Sequence, residues 1–260
     1  MVKPELVEPL RALDVPGSIV RRFPRLPRDT EAVLIYGSRA RGDAVNGSDL
    51  DVLALVPHSR PSLSSADVSV SFYTEAQLQT GIGTLFGAHL RRDAQILWDP
   101  SGSLVRSVQA MGDVDTERLL SRAKTMSSLF TTPSRDLPRY LEGMLRQARY
   151  LLRSCLYAEA IQQGEPCFSV REIARRLEDP DLTDLLASRR RTSASAAELQ
   201  NCLERLAPLV GGFPESRHGS LEASVVNEWG KPGDLLSAAF LILGSSGAGS
   251  VYAEVEKILL

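Results

Sequence analysis

The stretch "VLIYGSRARGDAVNGSDLDVLALV", Val33 to Val56, sets two carboxylates at the mouth of an apolar run, soon after a glycine–serine turn. Asp49 and Asp51 are two residues apart, so in a strand they point the same way, roughly 7 Å apart along the backbone. Two hard oxygen donors on one face suit Mg²⁺, which binds a few carboxylates and takes further oxygens from substrate phosphates. Left bare, the two acids repel and one pKa rises; a bound cation removes that difficulty. One or two such ions can orient an attacking hydroxyl and neutralise charge on a phosphoryl group in transit. Gly37 permits a tight turn and close backbone approach by a ligand, and Ser38 adds a hydroxyl where a helix can begin. Successive amide donors in such a turn make an anion cradle. Arg39 and Arg41 can add charge-assisted bonds to phosphate oxygens. The plainer reading is that Ser48 and Asp49 cap a turn and Asp51 opens an exposed strand. Joining the acid pair to the turn, with an apolar run on each side, favours chemistry. The P-loop spacing GxxxxGK[ST] and the dinucleotide pattern GxGxxG are both absent.

The elements that must position these residues are readable. "EAVLIY" and "DVLALV" read as buried strands, apolar without clean alternation. "DVSVSFY" alternates: Val68, Val70 and Phe72 on one face, Asp67, Ser69, Ser71 and Tyr73 on the other. Pro57 to Ser65 reads as a loop, and "AQILWD" as a last strand ended by Pro100. Short helices are expected in "KPELVEPLRALD", "GSIVRRF", "TEAQLQT" (capped by Thr74, with Gln77 three residues on) and "GTLFGAHLRRD". His89, in that last segment, reads as packing or capping near a helix end.

Strand signals stop after about residue 105. "DTERLLSRAKTMSSLF" is helical, with Asp115 as cap, and "LPRYLEGMLRQARYLLRSCLYAEAIQQG" is the strongest helix, ended by Gly164. Ser169 caps "VREIARRL", with Glu172 in capping-box position. "AELQNCLERLAPLV", "GDLLSAAFLIL" and "VYAEVEKILL" follow as helices. The expected architecture is an α/β (α+β) domain with a mixed sheet over residues 1–105 and an all-α helical bundle over 106–260.

The 260 residues are 43% apolar and carry a net charge of −2. That is enough for a sizeable core, and it argues against a long nucleic-acid partner, which usually demands a basic excess. Arg146, Arg149 and Arg153, and Arg189 to Arg191, are local basic clusters, read as solvated helix faces or else a groove for a phosphate-bearing partner. No apolar run reaches a membrane span, and the start lacks a signal-type apolar run, so a cytoplasmic protein is expected. Cys155, Cys167 and Cys202 lack metal-site spacing and read as buried thiols.

"GSRARGDAVNGSDLDV" resembles the signature of the nucleotidyltransferase superfamily that includes DNA polymerase beta: Gly-Ser, Arg-Ala-Arg-Gly, a short loop, then Ser-Asp-x-Asp. The match falls on Gly37, Ser38, Arg39, Ala40, Arg41, Gly42, Ser48, Asp49 and Asp51. "FYTEAQL" and "LFGAHLRRDAQILWDP" extend the likeness to small bacterial members, to about residue 100. The layout is also similar to that of aminoglycoside nucleotidyltransferases, where a helical domain helps hold the acceptor. The resemblance implies that Gly37 and Ser38 hold the β and γ phosphates of ATP or another NTP, with Arg39, Arg41 and Ser48 among the nucleotide-binding residues. It implies that Asp49 and Asp51 bind Mg²⁺ and that an acceptor hydroxyl attacks the α phosphorus as pyrophosphate leaves. A third family carboxylate sits on a neighbouring strand. Asp67 is the candidate metal ligand for it, with Ser69 as the alternative position.

Two functions follow. One is an enzyme transferring NMP, AMP foremost, to a hydroxyl of a small molecule or protein. The other is a catalytically weak nucleotide-binding protein, or a toxin–antitoxin component acting through a protein partner.

Overall fold

The computed structural model describes residues 4–45, 48–131, 136–186, 194–231 and 233–244. It divides into two compact units, Met1–Val114 and Asp115–Leu260. Arg189 to Arg191 and the segment "VYAEVEKILL" lie outside the described residues. Among the described residues no helix is long and apolar enough to cross a membrane.

The first unit begins with α1 (Pro4–Ala12) and α2 (Gly17–Arg22). Then come β1 (Ala32–Tyr36), α3 (Gly37–Arg41), β2 (Leu50–Leu55), β3 (Leu63–Ser65) and β4 (Val68–Tyr73). It ends with α4 (Glu75–Gln79), α5 (Leu85–Asp93), β5 (Gln95–Trp98) and α6 (Ser103–Gln109). The strands form one mixed sheet in the order β3-β4-β2-β1-β5. β2 runs parallel to β4, while the β1–β2, β1–β5 and β3–β4 pairs are antiparallel.

Both faces of this sheet are covered, which is why its strands read as apolar runs. On one face Val33, Ile35, Val52, Val70 and Phe72 pack with Leu6 and Leu10 of α1 and Ile19 of α2. On the other, Leu34, Tyr36, Leu53, Leu55 and Tyr73 pack with Leu78 of α4, Leu90 of α5 and Leu104 of α6. The alternation of "DVSVSFY" therefore does not mark a wet face: Ser71 and Tyr73 are buried. The region read as loop up to Ser65 supplies the edge strand β3, with Ser64 opposite Ser69. The expected break at residue 105 falls inside α6, which stays with the sheet because Leu104 joins its core.

Several caps form where the sequence placed them. Thr74 accepts from the Gln77 N–H while the Gln77 side chain accepts from the Thr74 N–H. Asp115 accepts from the Arg118 N–H, and Ser169 from the Glu172 N–H.

The second unit continues with α7 (Thr116–Ser127), a 3₁₀ turn (Ser128–Thr131), α8 (Leu137–Gln162), α9 (Val170–Arg176) and α10 (Asp181–Leu185). It closes with α11 (Ala196–Val210), α12 (Leu221–Glu228) and α13 (Asp234–Leu243). The axis is α8, against which α7, α11 and α13 pack. It bends at Tyr140, whose φ of −119° and ψ of 15° leave the helical region, and it stops before Gly164 in the left-handed region. Arg149 and Arg153 are neither a solvated face nor an open anion groove. Arg149 Nε donates to the Leu185 carbonyl at 2.7 Å and Arg153 Nη2 to the Leu186 carbonyl at 2.8 Å, serving the end of α10.

Candidate active site

β1 delivers the turn. After Tyr36 the chain enters α3 through Gly37, whose φ is +76°. A residue with a Cβ is disfavoured in that left-handed region. The antiparallel register sets Tyr36 opposite Asp51, so the start of β2 lies beside the turn. The consequence is steric: a Cβ on Gly37 would stand 2.6 Å from Asp51 Oδ2. The glycine thus lets the carboxylate close directly on the backbone of the turn. Two motif halves that are fourteen residues apart in sequence meet here.

Asp49 and Asp51 are both half-buried at the head of β2. Their donor chemistry fits a hard divalent cation completed by phosphate oxygens. The loop that leads to them is held by Arg39, whose Nε and Nη2 donate to the Ser48 carbonyl at 3.1 and 2.6 Å. The Ser48 hydroxyl accepts from the Val45 N–H at 2.9 Å. Arg39 and Ser48 therefore build the site's frame. Ser38 is half-buried; its carbonyl accepts from the Asp43 N–H at 3.0 Å and closes the end of α3.

Arg41 is turned toward α5. Its Nη1 donates to Asp93 Oδ2 at 3.1 Å and lies 3.1 Å from His89 Nε2, while Nη2 is 3.3 Å from Asp43. Burial raises the Asp93 carboxyl, but the bonds and charges of His89 and Arg41 outweigh it and hold the group below the ordinary carboxylate range. Asp93 was not singled out from the sequence; its only signal was its place four residues after His89 on one helix face.

Asp67 stands one residue before β4. Its Oδ2 accepts from Arg22 Nη1 of α2 at 2.9 Å. It lines a pocket of about 370 Å³ with Ser18, Ile19, Arg39, Val45 and Ser48. The parallel register places Ser69, not Asp67, opposite Asp51. Among the described residues no group of three or more His, Cys, Asp or Glu side chains is placed to hold a metal. The protein thus offers two acids at the turn, with the third candidate engaged by an arginine.

The cysteines are buried thiols. Burial pushes the Cys155 thiol up to about 12 and that of Cys202 up to about 11, which removes them as nucleophiles.

Residues 18–98, from α2 through β5, match the family model of the nucleotidyltransferase domain. A solved structure of a nucleotidyltransferase-like protein from Exiguobacterium sibiricum 255-15 is 14% identical, over 71% of this chain and 69% of that one, with a TM-score of 0.26. No curated protein matches the chain. The matched segment holds both the glycine turn and the acid at the head of β2 on which it closes.

Proposed function

We propose that the protein transfers AMP from ATP to a hydroxyl of a small molecule or protein and releases pyrophosphate. The observation that carries this reading is the contact between Gly37 and Asp51, since it joins a phosphate-cradling turn to a carboxylate at one point. The choice of ATP follows the resemblance alone. Asp49 and Asp51 would hold Mg²⁺, which when bound supplies positive charge to the phosphates. The chain's own residues do the rest. Gly37 lets the triphosphate approach the backbone, and Ser38 offers a hydroxyl to its terminal phosphates. Arg39 fixes the Ser48 carbonyl and so the residue that precedes Asp49. In the reaction, the acceptor oxygen bonds to the α phosphorus as the bond to the pyrophosphate oxygen breaks.

Asp67 keeps a proposed place as third carboxylate. Its pair with Arg22 is exposed, at 34% and 58% of the two side chains. Such a pair is worth about 0–1 kcal/mol, so it opens readily for a better partner. The second reading is a nucleotide- or partner-binding protein with little turnover, including a toxin–antitoxin component. It is favoured by Ser69 standing opposite Asp51 in the ladder. Incubation with Mg²⁺, each α-labelled NTP and a cell extract tests the choice. Label appearing on an acceptor together with pyrophosphate supports transfer. Tight NTP binding without release across acceptors supports the second reading.

A further inference from the structure

α3 has only five residues and is too short to be stable by itself. Within it only Gly37 is fully buried, so apolar packing holds it weakly. Two fastenings tie it to α5. Just before the turn, the Tyr36 ring meets His89 edge-on, 5.8 Å between centroids at 82°. At the last residue, Arg41 reaches Asp93 at 3.1 Å. The second is the deeper: the side chains are 16% and 5% exposed. A carboxylate buried that far is tolerated only when paired and hydrogen-bonded, and Arg41 and His89 supply both conditions.

We propose that Asp93 is a positioning residue for nucleotide binding: it holds the Gly37–Ser38 turn against Asp51 by fixing Arg41. Arg41 then acts through α5 and not by touching phosphate. The guanidinium geometry suits this task, because one planar fork serves Asp93, Asp43 and the His89 ring together. The link to nucleotide rests on the proposed function, while the fastening itself does not.

The test uses the full chain with Arg41→Gln, Arg41→Lys, Asp93→Asn and the Arg41→Gln/Asp93→Asn double variant. Two quantities are read: amide hydrogen exchange over residues 37–42 without nucleotide, and equilibrium binding of ATP·Mg²⁺. Arg41→Gln and Asp93→Asn should each speed exchange in that segment and weaken binding by about tenfold, with the double variant no worse than either. Arg41→Lys should behave like Arg41→Gln, since an ammonium cannot span the three partners. The proposal is overturned if Arg41→Gln weakens binding while Asp93→Asn leaves both readings at wild-type values, or if the two losses add. Should Asp93→Asn not fold, wild-type exchange in Arg41→Lys overturns it, and fast exchange supports it. A wild type that binds no triphosphate removes the nucleotide reading, and the exchange result then decides the fastening by itself.

Discussion

At the scale of single residues, Gly37 and Asp51 make one steric unit. Gly37→Ala adds about 1–2 kcal/mol of left-handed backbone strain and drives a Cβ into Asp51 Oδ2. The expected outcome is a protein that still folds but loses transfer about 100-fold, as loss of a charge-stabilising group does. Asp51→Asn should give a similar loss of rate with an unchanged melting temperature. A steady-state assay beside thermal melts of both variants checks this. Asp93 has a different signature. Its folded pKa lies below the ordinary value of 3.8, so its stabilisation is whole above that value and is lost as the pH falls through the lower folded pKa. Wild type should therefore lose stability below about pH 4 more steeply than Asp93→Asn, read by urea titrations between pH 2 and 7. The turn at Gly37 and the strand that begins beside Asp49 and Asp51 were legible because turn chemistry and strand pattern are local. The direction of the Arg41 side chain was not, since it is decided by Asp93, 52 residues further on.

Elements follow the same division between local and distant causes. Caps at Thr74, Asp115 and Ser169 were readable because the accepting side chain and the N–H that donates to it lie within one turn. β3 was not, because a three-residue edge strand exists only through its pairing with β4. The burial of Tyr73 on the second face of β4 has a related cause: α4, α5 and α6 cover it, and no pattern inside "DVSVSFY" records that cover. In the helical unit α8 and α13 approach closely at Gly143, where a Cβ would stand 2.2 Å from the Ile242 carbonyl oxygen of α13. Backbone cannot yield as a flexible side chain does. Gly143→Ala should therefore destabilise the protein by about 1–3 kcal/mol. It should lower the urea midpoint without changing the slope. A midpoint equal to wild type would show that α13 does not cross α8 so closely.

At the scale of the whole molecule, the sequence separates a chemical half from a helical half, and the structure divides into Met1–Val114 and Asp115–Leu260. The change from strand to helix periodicity was legible. The division itself was placed early, because α6 reads as a helix like those that follow while its Leu104 belongs to the sheet's core. Arg149 and Arg153 of α8 spend their guanidinium groups on the backbone carbonyls that end α10. The central claim remains that one turn and two acids form a single site for metal and triphosphate. It is tested most directly by a crystal structure with Mn²⁺ and a non-hydrolysable ATP analogue, read by the anomalous signal of the ion. The account predicts Mn²⁺ on the Asp49 and Asp51 carboxylates, with the triphosphate lying along Gly37 and Ser38. Mn²⁺ and triphosphate bound together away from Asp51, or a triphosphate that leaves the Gly37 turn untouched, would contradict it.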